Sequence, residues 1–259
     1  MTWLSDFTWL SNFTWLPDLT LLDSVILLIS SFLGSLLTAA LGVGGGAFLI
    51  AVMASIVPPL ALIPAHGVVQ IGSNGARAWL SRSHFNSTIF YAFSLGAILA
   101  AVASVFLMGL FDVSWIPIGV ALFILWLSWA PVPESTRPRS RGFLFTGGAV
   151  TTLATMVFGA TGPLVSAWLG RANSDRWSYT ANFSACMTLQ HVLKIFAFIW
   201  LGFEFIEWLP LLGMMIAAGY LGTKVGLKLL GKIPEAVFKQ VFRWVLTALA
   251  IKLLWNAVS

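Results

Sequence analysis

A run of glycines interrupts a long apolar stretch in the first quarter of the chain. It reads Leu-Gly-Val-Gly-Gly-Gly-Ala over residues 41–47, with apolar residues 24–40 before it and 48–62 after it. Glycine costs a helix about 1 kcal/mol per residue relative to alanine, and an unpaired backbone group in lipid costs several kcal/mol more. Such a break is tolerated at membrane depth only where protein buries it or where it lines a cavity. The alternative interpretation is a tight turn, or a surface on which two helices approach closely.

A degenerate copy of this break favours the first interpretation. Phe-Gly-Ala-Thr-Gly-Pro occupies residues 158–163, at an offset of 117 residues that aligns Gly42 with Gly159 and Gly45 with Gly162. Paired breaks in the two halves of a membrane protein are the best sequence indication of a transport site. The same offset aligns polar residues that were not used to choose it, namely Ser73 with Gln190, Asn74 with His191 and Arg77 with Lys194.

The composition is that of a polytopic membrane protein. Of 259 residues, 59% are hydrophobic and 9% are charged, against about 25% charged in a soluble domain. The single cysteine excludes a disulfide, a paired-thiol redox relay and a cysteine-based metal site, and we predict neither a metal nor a cofactor. The 14 lysine and arginine residues are scattered over short loops, which argues against nucleic acid as a partner.

The chain divides into a tail, two membrane repeats and a linker. We interpret residues 1–23, which repeat Thr-Trp-Leu, as a tail at the membrane interface, with a disordered low-complexity segment as the alternative. The first transmembrane repeat covers 24–130, a cytoplasmic linker covers 131–142 and the second repeat covers 143–259. The predicted apolar segments are 24–41, 46–63, 65–81, 87–108, 115–130, 143–158, 163–170, 178–201, 208–230 and 236–257.

The distribution of charge predicts opposite orientations for the two repeats. Basic residues gather at alternate segment ends, so the positive-inside rule places the N-terminus outside and the linker in the cytoplasm. Each half then crosses the membrane an odd number of times. The predicted fold is an all-α polytopic membrane protein of two inverted-topology repeats. Each repeat has a Gly-broken hairpin of partial helices plus three transmembrane helices.

Polar residues recur on one face of two predicted helices, 65–81 and 178–201. Spacings of three and four residues place the members of each group together. Polar residues at membrane depth are functional candidates by default. The alternatives are polar contacts that only join helices and, for the histidine, a structural hydrogen bond. The two groups are Gln70, Asn74 and Arg77, and Gln190, His191 and Lys194.

The charges within the predicted spans favour an anionic ligand. Sodium-coupled and many proton-coupled sites use buried carboxylates, yet no Asp or Glu lies inside a predicted span. Two cationic side chains, amide donors and the N-termini of half-helices are available instead. The predicted substrate site has no catalytic residue and comprises Gly42, Gly44, Gly45, Gly46, Gln70, Asn74, Arg77, Gly159, Thr161, Gly162, Gln190, His191 and Lys194.

The glycine run, its degenerate copy and the basic linker between them resemble the TauE/SafE family of sulfite exporter and organosulfonate permease-like membrane proteins. The resemblance covers about residues 24–257. It implies transport, with export favoured, of small organosulfur or sulfur oxyanions such as sulfite, sulfoacetate or other sulfonates. It also implies a bacterial inner membrane as the location, with the lipid bilayer and the anion as partners. A homodimer is left open as the assembly.

Two other function classes compete with a carrier that works by alternating access at a midplane site. An intramembrane protease would need a Ser/His or Asp/Asp pair at one depth, or an HExxH helix. The sequence contains neither pattern, so we predict that the protein is not an enzyme. An anion channel that uses the same lining residues is the alternative to the carrier.

Overall fold

The computed structural model describes residues 19–108, 112–130, 140–169, 175–232 and 235–258. Residues 1–18 of the predicted tail and 131–139 of the predicted linker lie outside these ranges. Within them the chain is helical and contains no β-strand. The ten α-helices of the described ranges are α1 (Leu21–Leu41), α2 (Gly45–Met53), α3 (Pro59–Leu80), α4 (Ser87–Met108), α5 (Ile116–Trp129), α6 (Arg141–Phe158), α7 (Gly162–Leu169), α8 (Arg176–Trp200), α9 (Leu209–Leu229) and α10 (Glu235–Val258).

Each predicted hairpin is a long helix, a glycine break and a short helix. The Thr20 hydroxyl caps α1 by accepting a hydrogen bond from the Asp23 amide at 3.1 Å, and α1 ends at Gly42. Gly42 and Gly44 have φ values of 93° and 112°, and Gly159 ends α6 with φ 78°, a region that favours glycine. The nine residues of α2 and the eight of α7 reach only about 13 Å at 1.5 Å per residue. The second arms are therefore partial helices, as predicted, but the prediction is wrong for the first arms, which have 21 and 18 residues and, in α1, the length of a membrane span.

The predicted boundary at Pro64 is wrong. The chain turns at residues 54–58 and α3 begins at Pro59, where a proline lacks only an N–H that a helix start leaves unpaired. Pro64 lies inside α3 and removes one backbone hydrogen bond. Its neighbours Ile63 and Ala65 are fully buried, and their packing keeps the helix continuous. This places His66 inside the helix rather than at its end.

The helices α3 and α8 pack against each other in antiparallel directions. A Cβ added at Gly67 would lie 3.1 Å from Lys194 Cδ, and the rings of His84 and Trp177 stack 5.9 Å apart at the other end. The two helices therefore run in opposite directions. This pair carries both of the predicted polar groups.

The remaining helices pack in corresponding pairs. Helix α1 packs on α9 and α6 packs on α4, while α5 packs on α10. Each helix of α1–α5 corresponds to the helix five places later, so that α1 corresponds to α6 and α4 to α9. Under this correspondence the α1–α9 pair becomes the α6–α4 pair, and the α5–α10 and α3–α8 pairs are unchanged. Glycines allow the close approaches, because a Cβ at Gly222 of α9 would collide with the Phe32 carbonyl of α1. A Cβ at Gly148 of α6 would collide in the same way with the Phe93 carbonyl of α4.

Several helices have the length and surface of membrane spans. Four segments of the described ranges are long and apolar enough to cross a bilayer: Leu21–Leu41, Ser87–Met108, Arg176–Trp200 and Ile206–Leu229. Large apolar side chains such as Phe106 and Trp200 point outward, whereas the hydroxyls of Thr151 and Thr152 are buried. Polar groups inside and apolar groups outside are what a lipid environment requires.

Candidate anion-binding site

Two cationic side chains are buried at the contact between α3 and α8. Arg77 is 1% exposed and Lys194 is 0% exposed. Neither forms an ion pair with a carboxylate of the described residues. Burying a charge without a partner is costly, so an anion bound to these two side chains would stabilise their protonated forms.

Lys194 joins α8 to the second glycine break. Its Nζ donates a hydrogen bond of 2.8 Å to the carbonyl of Gly159, the residue at which α6 ends. The aliphatic part of the side chain passes Gly67 of α3, where any larger residue would crowd it. One backbone carbonyl satisfies only one of the three donors of an ammonium group.

Arg77 ends a chain of polar side chains along one face of α3. Its guanidinium donates to Asn74 Oδ1, and Asn74 Nδ2 donates to the carbonyl and to Oε1 of Gln70 at 2.8 and 2.9 Å. The predicted grouping of these three residues on one face is confirmed. Arg77 Nε has no hydrogen-bond partner, and the guanidinium lies 5.9 Å from the centroid of the Phe183 ring. The Arg77 side chain therefore keeps a free donor in a buried position.

A pair of histidines lies at the Lys194 end of the contact between α3 and α8. The rings of His191 on α8 and His66 on α3 meet edge to face, with centroids 5.8 Å apart. His66 Nε2 donates to the carbonyl of Gly46 in the first break at 3.0 Å. Both ring nitrogens of His191 are buried without a partner. An imidazole N–H in that state needs an acceptor, which an oxyanion would supply.

Gln190 connects α8 to α6. Its Nε2 donates to the hydroxyls of Thr151 and Thr152 at 2.7 and 2.9 Å, while its Oε1 has no partner. The residues of the polar group predicted on α8 therefore differ in their contacts. Gln190 joins helices, as in the alternative interpretation, and His191 is left without hydrogen bonds.

The two glycine breaks adjoin each other, but their glycines have different neighbours. A Cβ at Gly46 would lie 3.3 Å from Gln70 Nε2, and one at Gly162 would lie 3.7 Å from Val43 in the first break. The buried hydroxyl of Thr161 has no partner. Three other glycines are in contact elsewhere: Gly42 with Tyr179, Gly44 with Phe242 and Gly45 with Gly34.

The family model described as sulfite exporter TauE/SafE matches residues 27–253. The chain belongs to this family. The predicted resemblance is confirmed, and the match includes both glycine breaks and both polar helices of this TauE/SafE protein. No curated protein and no solved structure matches the chain.

Membership of TauE/SafE identifies the chain as a membrane transporter and supports the prediction that it is not an enzyme. Within the described ranges, no group of three His, Cys, Asp or Glu side chains is placed to hold a metal ion. The single cysteine, Cys186, is fully buried on α8. The anion-binding role of the thirteen predicted residues stays a prediction.

The structure adds three polar residues to the candidate site that the sequence did not predict. His66 is not among the predicted residues, because the predicted helix 65–81 begins next to it. With α3 extended to Pro59, His66 precedes Gln70 by one turn on the same polar face, so the spacing of four was a usable signal. Thr151 and Thr152 gave no such signal, because their contact with Gln190 depends on how α6 and α8 are aligned.

Proposed function

We propose that this TauE/SafE transporter exports small sulfur-containing oxyanions, such as sulfite, sulfoacetate or other sulfonates, through a midplane site between its two repeats. The observation that carries the proposal is the burial of Arg77 and Lys194 without a carboxylate partner among the described residues. His191, one helical turn from Lys194, offers buried nitrogens without partners. A sulfite or sulfonate group carries a negative charge, which would compensate the two cations. Its several oxygen atoms can accept hydrogen bonds from the nitrogens that have no partner.

The packing of the helices supports alternating access of two inverted repeats. The antiparallel contact of α3 with α8 and the exchange of packing pairs between α1–α5 and α6–α10 are what two oppositely oriented repeats produce. In that mechanism one repeat rocks against the other around a fixed site. We also propose a bacterial inner membrane as the location, which the family resemblance implies, with the linker in the cytoplasm, which the charge distribution in the loops favours. Assembly as a homodimer stays a prediction.

Binding is tested by thermal unfolding of the purified protein with sulfite, sulfoacetate and a short alkanesulfonate. A ligand at 100 times its dissociation constant stabilises the folded state by about 2.7 kcal/mol. Dimethyl sulfone, which keeps the sulfur and two oxygens but carries no charge, is the matched control and is expected to have no effect. Equal stabilisation by the sulfone, or none by any of the anions, contradicts the proposal.

An anion channel lined by the same residues is the second candidate function. The buried and unpaired state of the two cations favours a carrier, because a site closed on both sides must be opened by a conformational change. In liposomes a carrier shows saturable uptake that unlabelled anion on the opposite side accelerates. Uptake that stays proportional to concentration and is not accelerated indicates the channel.

The proposed topology predicts that the linker and the α8–α9 turn lie on opposite sides of the membrane. In a Cys186→Ser background, single cysteines at Thr136 and Phe205 are expected to react with an impermeant maleimide from the cytoplasm and from outside, respectively. Thr136 lies outside the described residues, and Phe205 is in the turn after α8. Labelling of both positions from one side would rule out inverted repeats.

A further inference from the structure

An apolar cavity lies apart from the buried cations. Its volume is about 640 Å³, within the ~300–1,000 Å³ of typical ligand pockets. The walls come from α3, α4, α5, α6 and α8, and none of the described lining residues belongs to the predicted anion site. Asp112 is the only charged residue among the described residues that line it.

The end of the cavity that contains Asp112 has the features of a membrane–water boundary. Asp112 and Trp115, which is 65% exposed, lie in the turn that precedes α5, and tryptophan is enriched at the interface between membrane and water. The Ser114 amide donates to Asp112 Oδ1 at 2.9 Å. This bond and the Ser114 hydroxyl lower the pKa of the Asp112 carboxyl below its ordinary value. The mouth of the cavity is therefore negatively charged at neutral pH.

The inner part of the cavity matches a hydrocarbon chain. From the mouth it follows α6 to Leu153, with Phe198 of α8 and Ile63 of α3 on the other walls. The neighbouring outer surface is apolar too, since Phe106 of α4 and Trp200 of α8 are 77% and 81% exposed. A cavity bordered by such a surface is accessible to lipid rather than to water-soluble ligands.

We propose that this cavity is a lipid-binding site that takes one acyl chain of phosphatidylethanolamine, with the ammonium of the headgroup at Asp112. The carboxylate repels lipids with a net negative charge. A primary ammonium donates hydrogen bonds to it, which a choline headgroup cannot do. The apolar walls accept the acyl chain because burial of each CH₂ is worth about 0.8 kcal/mol.

The lipid site adjoins the second glycine break. Phe158, a wall residue, directly precedes Gly159, and Ile63 lies 3.7 Å from the Cβ position of that glycine. The Gly159 carbonyl in turn accepts the hydrogen bond of Lys194. A bound acyl chain thus packs behind the backbone that holds one of the two buried cations.

The test is competitive lipid retention by the purified full-length protein, measured by native mass spectrometry. Phosphatidylethanolamine, phosphatidylglycerol and phosphatidylcholine with identical acyl chains are supplied in equal amounts, without any transported anion. We expect one phosphatidylethanolamine to be retained in at least tenfold preference to the other two lipids. Asp112→Asn is expected to keep the lipid but to lose the preference.

Two variants fill the cavity from different walls. The Cβ position of Gly119 on α5 is 3.7 Å from the Phe158 ring, an ordinary contact, so Gly119→Leu can project into the cavity without a backbone collision. Ala154→Leu fills it from α6. Each is expected to lower lipid retention at least tenfold. Gly213→Leu on α9 is the matched control, because no atom lies within 4 Å of its Cβ position, and it is expected to retain the lipid.

Three results would overturn the lipid site. They are equal retention of the three lipids by the unchanged protein, retention of none, and unchanged retention by both cavity-filling variants at unchanged unfolding temperature. Because no sulfonate or sulfite is present, these results leave the proposed transport function untouched. Conversely, an absence of anion binding would leave the lipid measurement valid.

Discussion

Replacing Lys194 or Arg77 with glutamine is expected to lower the affinity for a transported sulfonate by roughly 30-fold or more. Removing one partner of a buried, hydrogen-bonded charge pair costs about 2–5 kcal/mol, and each 1.4 kcal/mol is a factor of ten. Both cations are buried away from any carboxylate of the described residues, so the anion is their missing partner. Lys194→Gln also weakens the hydrogen bond to Gly159.

Arg77→Gln and Lys194→Gln are expected to weaken anion binding from different sides of the membrane. Arg77 is in the last turn of α3, eighteen residues after Pro59, and Lys194 is eighteen residues after Arg176, so each lies ~27 Å along its helix. Since the helices are antiparallel, the cations lie toward opposite ends of the pair. In the proposed topology Arg77 is nearer the cytoplasm and Lys194 nearer the outside. Arg77→Gln should then weaken binding mainly from the cytoplasmic side.

Uptake and efflux of a labelled sulfonate in proteoliposomes of known protein orientation measure this difference. Arg82→Gln and Lys224→Gln are the matched controls, because both cations are exposed and lie over aromatic rings, Arg82 on Trp79 and Lys224 on Tyr220. The controls should transport normally. Unchanged apparent affinity in both directions for Arg77→Gln and for Lys194→Gln would reduce these residues to structural cations.

The helices were predictable because their ends carry strong local signals. The glycine breaks, the Asp175 cap of α8 and the charged turns delimit apolar segments, and the structure places the ends of eight helices within about three residues of the predictions. The exception is the boundary between α2 and α3. Pro64 was taken as a helix end on local grounds, but buried neighbours outweigh the loss of one backbone hydrogen bond.

Contacts between helices were only partly predictable. Residues on one face of a single helix follow from spacing, which is why the Gln70–Asn74–Arg77 chain was found. The partner of a side chain on another helix depends on the rotation and axial position of both helices, which the pattern does not contain. The hydrogen bond from Lys194 to Gly159 and the contact of His66 with His191 are of that kind.

Gly45→Leu is expected to abolish transport and to lower thermal stability. A glycine in the run predicts two reasons for this, a close backbone approach that a side chain would block and a cavity that it would fill. In the structure, a Cβ at Gly45 would collide with the backbone carbonyl of Gly34 and with the hydroxyl of Thr38, both on α1. The reverse contact is also tight, since a Cβ at Gly34 would lie 2.8 Å from the Gly45 carbonyl oxygen.

Gly45 and Gly34 therefore hold α1 and α2 backbone to backbone beside the first break. Overpacking usually costs about 1–3 kcal/mol, because neighbouring side chains shift. Here the obstacle is backbone, so α2 must move, and the Gly46 carbonyl that accepts from His66 moves with it. Loss of transport is then a consequence of a displaced break rather than of a blocked cavity.

Thermal unfolding and sulfonate uptake, measured on the same preparations, separate the two explanations. Gly213→Leu adds the same side chain at a helical position with no atom within 4 Å of its Cβ, and should leave both properties unchanged. Gly46→Ala, whose Cβ would lie 3.3 Å from Gln70 Nε2, should keep the stability and reduce uptake, because it alters the polar side of the break. If Gly45→Leu instead has the unfolding temperature and the sulfonate uptake of the unchanged protein, the glycine run is only a tight turn. The site must then be sought elsewhere along α3 and α8.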